Sequence, residues 1–326
     1  MNDRFLSCDW GTSSFRLRLV DTNTFKIIAE ESLKEGTAAT YGQWQQAGEP
    51  EESRYNFYRN VIQEQLTKLE QQVKKSLNDI PLVISGMASS SIGMLEIPYK
   101  SFPFAINGSD LQTKLIDATD DFKHLTILIS GAKTDDDVMR GEEVQLVGSA
   151  LSVTEEKQIF LHAGTHSKHV LVKDGQAVSL KTYMTGEFFS LLSGKSILAA
   201  SVQNEGSIAD KNNMKVFEMG AEKGFNGNLL HEAFMIRTNN LMEKLSKAEN
   251  WFYLSGLLIG AELKAIPESF SGVMILAGES LLTDLYSRAL NCLDISKRLK
   301  SMEIKAADDI TLKGQFAVFS RMKISG

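Results

Sequence analysis

Residues 5–21 read Phe5-Leu6-Ser7-Cys8-Asp9-Trp10-Gly11-Thr12-Ser13-Ser14-Phe15-Arg16-Leu17-Arg18-Leu19-Val20-Asp21. An apolar strand runs to Asp9-Trp10, turns through Gly11-Thr12-Ser13, and returns with Phe15, Leu17 and Leu19 alternating against Arg16, Arg18 and Val20. Glycine lets other groups approach the backbone, and turn N–H groups and hydroxyls can face phosphate oxygens. A carboxylate at the strand end can hold a divalent cation through water. The same residue types also build ordinary hairpin turns, so this stretch alone leaves both readings open.

The pattern returns about half a chain length later as Leu161-His162-Ala163-Gly164-Thr165-His166-Ser167-Lys168-His169-Val170-Leu171-Val172-Lys173-Asp174. With Gly11-Thr12 set on Gly164-Thr165, Leu17 falls on Val170, Leu19 on Val172, and Asp21 near Asp174. Self-similarity on this scale decides architecture before any single element does. It predicts two similar α/β domains, each opened by a strand–turn–strand unit, with the two Gly-Thr turns facing a nucleotide cleft.

The chain of 326 residues is long enough for two cores. Its 43% hydrophobic and 23% charged residues are ordinary for a globular protein, and a formal charge of −6 argues against nucleic acid or an anionic membrane as partner. No apolar run has the length of a membrane span and no secretory signal is visible, so a cytoplasmic location is expected. Cys8 and Cys292 are far apart in sequence and read as reduced thiols.

Along the chain, Thr24 to Glu35 reads as a further strand and residues 36–54 as a surface loop. Tyr58, Val61, Ile62, Leu66, Leu69, Val73 and Leu77 recur at helical spacing and predict an amphipathic helix over 55–77. Pro81–Ser85 and Leu125–Ser130 read as buried strands. Between them, the small and hydroxylated run Gly86–Tyr99 has the composition of a ligand loop and equally of a flexible connection. The acidic triplet Asp135-Asp136-Asp137 reads as the capped entry to a helix ending near Gly148, with Arg140, Glu142 and Glu143 at a strand–helix junction. In the second half, Asp174-Gly175 is a hairpin turn and Met184–Glu187 opens a helix. Helical patterning runs with interruptions from Ala209 to Leu263, and Gly272–Gly278 is a strand leading to a helix over 281–292. The small residues of Ser255–Glu262 mark a helix packed against a neighbour rather than a site. His162, His166 and His169 do not share a helix face, and no cysteine or carboxylate cluster completes a zinc set. No Gly-Lys-Ser/Thr phosphate loop and no Gly-x-Gly-x-x-Gly fingerprint is present.

Seven blocks in order resemble the 2-dehydro-3-deoxygalactonokinase family. They are Asp9–Thr12; Ser85-Gly86-Met87 with Gly93, Glu96, Pro98 and Tyr99; Val138–Glu143 with Gln145 and Gly148; Gly164-Thr165-His166 with Lys168; Met184–Glu187; Ser255–Glu262; and Ala277-Gly278. The resemblance implies the duplicated actin-like (ribonuclease H-like) fold of the sugar kinase superfamily. The expected division is a sugar-acid-binding domain over 1–151 and a nucleotide-binding domain over 152–326. It further implies ATP- and Mg²⁺-dependent phosphorylation of the terminal (6-) hydroxyl of 2-dehydro-3-deoxy-galactonate in galactonate breakdown. Partners are then ATP and a small sugar acid, with the oligomeric state open, a homodimer included.

Carried over by position, Asp9 reaches Mg²⁺ through water, Gly11, Thr12 and Ser13 form the first phosphate motif, and Gly164 and Thr165 the second. Gly278, Glu279 and Ser280 fall at the adenosine motif, where the family often has Thr after the glycine. Arg16, Met87, Ser89, Ser90, Glu96, Tyr99, Arg140, His166 and Lys168 are the candidates for the sugar acid, whose keto carboxylate suits a bidentate arginine. Related kinases keep Gly-Asp at the helix start before the second phosphate motif. Gly141-Glu142 stands there, making Glu142 the expected base with Glu143 beside it. A kinase for another sugar acid such as 2-dehydro-3-deoxygluconate, a same-fold ATPase or phosphohydrolase, and a non-catalytic nucleotide-binding protein are the competing readings.

Overall fold

The structure, a computed structural model, describes residues 3–322. Strand β1 (Arg4–Trp10) pairs antiparallel with β2 (Phe15–Asp21), which pairs antiparallel with β3 (Ile27–Leu33). Helices α1 (Thr37–Ala47) and α2 (Arg54–Val73) follow, then β4 (Leu82–Gly86), which lies parallel to β1. After the short strands β5 (Lys100–Ser101) and β6 (Phe104–Ala105) come β7 (Thr113–Ile116) and β8 (Thr126–Ile129). The pair β9 (Ala132–Lys133) and β10 (Val138–Met139) leads into α3 (Glu142–Gly148). The first sheet has the order β3-β2-β1-β4-β8-β7.

The second half contains β11 (Gln158–His162), β12 (Ser167–Lys173), β13 (Gln176–Tyr183) and α4 (Thr185–Lys195). Helices α5 (Lys211–Asn226), α6 (Leu229–Leu241) and α7 (Lys247–Leu263) precede β14 (Val273–Gly278), α8 (Ser280–Cys292), α9 (Ile295–Arg298) and β15 (Ser301–Ala306). Its sheet runs β15-β14-β11-β12-β13-β6, with β14 parallel to both β11 and β15 and β6 antiparallel to β13 at the edge. Apart from the edge strands β7 and β6, the two sheets share one order, with the third, second and first strands as neighbours and two parallel strands added beyond the first. That common order is the duplication expected from the two hairpins, and the α/β class stands.

Two compact units result. One comprises the chain up to Glu155, Val172–Leu180 and the chain from Ala307; the other comprises Glu156–Leu171 and Lys181–Ala306. Helix α10 (Ala307–Arg321) thus groups with the first unit, although sequence order places it in the second half. Glycines decide that packing. A Cβ at Gly148 would stand 1.8 Å from the Ile310 carbonyl oxygen, and one at Gly314 1.9 Å from that of Val144, so α3 and α10 cross with backbones touching. Gln315, fully buried on α10, donates through Nε2 to the Cys8 carbonyl at 2.9 Å and to Ser85 Oγ at 2.8 Å, tying β1 to β4.

The core of the first unit gathers Leu6, Cys8, Trp10, Leu17, Leu19 and Ile84 under the apolar stripe Tyr58, Ile62, Leu66 and Leu69 of α2. In the second unit α5 and α7 close on each other through Gly220, Gly224, Gly256 and Gly260, the packing role expected of the small residues of Ser255–Glu262. Cys8 and Cys292 are free thiols. No helix among the described residues is long and apolar enough to cross a membrane.

Two sequence expectations are corrected. Residues 36–54 are not a loop but α1 and a short turn of 3₁₀ helix at Glu51–Ser53. Only Thr37, Thr40 and Trp44 of α1 are buried, too sparse an apolar face to show as periodicity. The triplet Asp135–Asp137 does not enter a helix. It sits in the β9–β10 turn, where Thr134 Oγ1 accepts from the Asp136 and Asp137 N–H groups, and α3 begins only at Glu142.

Candidate active site

In the first unit Asp9, the last residue but one of β1, lies directly opposite Arg16 of β2. Arg16 Nη1 lies 2.6 Å from Asp308 Oδ1, and Arg18 Nη2 lies 2.8 Å from Asp308 Oδ2, in the first turn of α10. Arg18, only 3% exposed, also pairs with Glu30. Burial lifts the Asp9 carboxyl above the usual aspartate range; Arg16 and Arg18 oppose the shift, and Asp308 and Glu142 add to it. Among the described residues no three His, Cys, Asp or Glu side chains stand together as a metal-binding group, and both Asp308 oxygens are taken by Arg16 and Arg18, so a hard ion such as Mg²⁺ would be met here by Asp9 through water rather than by a carboxylate cluster.

The turn after Asp9 closes with the Gly11 N–H on the Ser14 carbonyl at 2.9 Å, leaving Thr12 and Ser13 exposed. The start of α1 grips it from behind. Thr37 N–H donates to the Gly11 carbonyl at 2.9 Å and Ala38 N–H to the Thr12 carbonyl at 3.2 Å. Two N–H groups that a helix N-terminus leaves unpaired are thereby satisfied, and both carbonyls are turned toward the helix. Such contact requires glycine at position 36, whose Cβ would stand 2.4 Å from the Gly11 oxygen. Tyr58 of α2 locks the arrangement by donating to the Thr37 carbonyl at 3.2 Å and the Ile92 carbonyl at 2.5 Å.

Beyond β4, Met87–Ser89 form a 3₁₀ turn. Arg140 Nη1 donates to the Ser89 carbonyl at 2.6 Å and to Ser89 Oγ at 2.5 Å, and its guanidinium lies over the Tyr99 ring at 4.1 Å. Its Nε is buried without a hydrogen-bond partner. The structure thus brings Ser89, Tyr99 and Arg140 together. Ser90 is buried and turned back onto the Met87 carbonyl at 2.7 Å, Met87 is half-buried, and Glu96 is exposed outside this contact set.

Next to Arg140, the two glutamates of α3 point different ways. Glu142, half-buried, accepts the Arg140 N–H at 2.9 Å through Oε2. Glu143 is fully buried, and both of its carboxyl oxygens accept the Gly141 N–H, at 2.9 and 2.8 Å. Burial first, then the neighbouring Glu142 charge, pushes the Glu143 carboxyl up to about 8 against the pull of Gly141 and Arg140. Gln145 Nε2 donates to Thr311 Oγ1 of α10 at 3.2 Å, a second tie on α3.

In the second unit Gly164, Thr165 and His166 form the turn between β11 and β12. The start of α4 repeats the grip seen on the first turn. Glu187 N–H donates to the Thr165 carbonyl at 3.1 Å, and a Cβ at Gly186 would stand 2.8 Å from the Gly164 oxygen and from Thr165 Cα. His166 is exposed with Nε2 2.5 Å from Glu187 Oε2, while Lys168 is buried on β12. Gly278 ends β14 with its Cα against the Ala163 carbonyl, where a Cβ would stand at 2.8 Å, and Glu279 and Ser280 are exposed at the start of α8.

Sequence reasoning missed Asp308 and Gln315 because its candidate site residues end at Gly278-Glu279-Ser280. It also missed Arg18, Thr185 and Tyr286. The one signal available was the Arg16/Arg18 alternation beside Asp9, two cations on a strand whose neighbours are buried.

The sequence model of the family described as 2-keto-3-deoxy-galactonokinase matches residues 9–318. The chain is 27% identical over 299 residues to a probable 2-dehydro-3-deoxygalactonokinase of Rhizobium meliloti, covering 90% of this chain and 91% of that one. It is 26% identical over 297 residues to a 2-dehydro-3-deoxygalactonokinase of Escherichia coli, with the same coverage of 90% and 91%. A crystal structure of a Sinorhizobium meliloti protein described as a candidate 2-dehydro-3-deoxygalactonokinase has the same fold, with TM-score 0.79 and 24% identity over 99% of this chain and 98% of that one. With Asp9, both Gly-Thr turns and the Arg140–Glu143 run all inside the matched region, the chain belongs to the 2-keto-3-deoxy-galactonokinase family.

Proposed function

We propose that this protein is an ATP-dependent kinase that transfers a phosphoryl group to the terminal hydroxyl of 2-dehydro-3-deoxy-galactonate. The observation that carries the reading is the family match over residues 9–318, which takes in every element built around Asp9, Arg140 and Gly164. In this reading the first unit binds the sugar acid, the second binds the nucleotide, and each supplies one phosphate-facing turn. A magnesium ion at Asp9 would neutralise charge on the phosphate oxygens.

The protein's own residues then divide the work. Arg140 is immobilised by Ser89 and Tyr99 and presents its remaining donors to the keto carboxylate, a preformed cation that loses little entropy on binding. The helix-gripped turns at Gly11-Thr12-Ser13 and Gly164-Thr165 offer backbone N–H groups and hydroxyls already aimed. Donors fixed before reaction do not reorganise during it. Gly278, Glu279 and Ser280 receive the adenosine. Glu142 takes the proton of the attacking hydroxyl, because it is the glutamate of α3 that is not turned inward. Glu143, buried and with its affinity for a proton raised, holds Gly141 at the helix start. The test is coupled ADP release with the galacto and gluco epimers of the keto-deoxy sugar acid. Release that requires the galacto acid supports the reading. Release without any sugar acid marks an ATPase, preference for the gluco epimer corrects the substrate, and none with either overturns it.

A further inference from the structure

The Ser255–Glu262 run reads in sequence as pure packing, yet its last residue is a polar hub. Glu262 is 3% exposed near the end of α7. Its Oε1 lies 2.8 Å from His169 Nε2 of β12. Its Oε2 accepts from Thr185 Oγ1, the first residue of α4, and from Tyr286 Oη of α8 at 2.5 Å. Burying a carboxyl group is costly unless it is well satisfied, and this one is met by three side chains from three different elements.

Both routes outward from the hub end on the Gly164–His166 turn. Through Thr185 the hub fixes the start of α4, where Gly186 abuts Gly164 and Thr165 and Glu187 N–H holds the Thr165 carbonyl. Through Tyr286 it reaches Ser167 Oγ at 2.9 Å, whose hydroxyl lies 3.5 Å from the Gly164 carbonyl. Burial, then Glu262, raises the Tyr286 hydroxyl well above the ordinary tyrosine range, so it stays a donor at any working pH. The first turn, by contrast, is held by apolar packing and backbone bonds around Gly36 and Tyr58.

We propose that Glu262 is a positioning residue for ATP: it sets the second phosphate turn by anchoring the start of α4 and the Tyr286–Ser167 pair, without touching the nucleotide itself. The inference rests on the kinase reading above. Glu262→Gln keeps the shape but turns one acceptor into a donor facing Thr185, Tyr286 or His169. The KM for ATP should rise about tenfold while the KM for the sugar acid stays within about twofold. Thr185→Val removes one arm and should shift the ATP KM in the same direction by about threefold, and the double variant should show less than the product of the two effects.

The experiment is steady-state kinetics varying each substrate, with calorimetric titration of ATP alone and thermal unfolding of every variant. A residue that only stabilised the fold would lower Tm and the active fraction without moving the ATP KM. If Glu262→Gln does not fold, Thr185→Val decides by the same readout. A folded variant with unchanged ATP KM and unchanged ATP affinity overturns the proposal. Wild-type protein that binds ATP but phosphorylates no keto-deoxy sugar acid overturns the substrate reading instead, and the titration still reads the Glu262 effect.

Discussion

Gly36→Ala isolates the grip of α1 on the first phosphate turn. Gly36 has φ −103° and ψ −160°, a conformation open to any residue, so alanine brings no backbone strain of its own. Its methyl carbon, however, would stand 2.4 Å from the Gly11 oxygen and 2.5 Å from the carbonyl carbon and oxygen of Thr12. Comfortable non-bonded separations begin near 3.5 Å, so the turn must retreat by about 1 Å. Misplacing reacting groups by ~1 Å costs on the order of 10²-fold in rate, equivalent to ~2.7 kcal/mol. Gly186→Ala, with its nearest contact at 2.8 Å, intrudes less on the second turn and should cost about tenfold. Gly42→Ala is the control. It lies within α1 with nothing within 4 Å of its new methyl, and should stabilise by up to ~1 kcal/mol while leaving turnover alone. ADP release at saturating sugar acid and varied Mg·ATP, beside thermal unfolding, reads all three. Folded Gly36→Ala within twofold of wild type in kcat/KM for ATP refutes the grip as a catalytic device.

Glu142→Gln should lower kcat by about 10²- to 10⁴-fold with ATP affinity nearly unchanged, and a kcat within fivefold of wild type removes Glu142 as the base. Arg140→Lys gives up the planar guanidinium that holds Ser89 through Nη1 and stacks on Tyr99. The sugar-acid KM should rise at least ~10-fold with the ATP KM steady, as measured by varying each substrate in turn. Glu143 binds its proton more tightly folded, with its carboxyl near 8 against an ordinary 4.5, so its contribution to stability is full below about pH 4.5 and is lost as pH rises through about 8. Urea unfolding across that window should show stability falling by up to ~1.4 kcal/mol per pH unit from this group, and Glu143→Gln should flatten the slope.

The duplication was legible because each hairpin carries its own signature of apolar alternation around a Gly-Thr turn, a local pattern that survives without tertiary context. The strand and helix types followed from period, as with the apolar stripe of α2 and the β-branched run of β4. Helix α1 escaped because its sequence buries only three side chains, and its role lies in a missing one: the absent Cβ of Gly36 leaves no trace in a hydrophobic pattern. Asp308, Gln315 and Glu262 escaped for a different reason. Each acts on residues far away in the chain, Asp308 on Arg16 and Arg18, Gln315 on Cys8 and Ser85, and Glu262 on His169. Pairings that span from 93 to 307 positions have no local period to betray them. Burial likewise separates Glu142 from Glu143, adjacent and chemically identical in sequence.

The placement of α10 has a consequence for how the protein is made. A ribosome delivers the β1–β4 sheet early, but the helix whose Gln315 joins β1 to β4 and whose glycine seats α3 emerges only after the entire second unit has been synthesised. Nascent chains usually complete their leading domain first. Here the leading unit is finished last, so the stretch carrying Asp9 and Glu142 gains its last helix only once the second unit has been synthesised, and a chain terminated before Ala307 lacks the tie between β1 and β4.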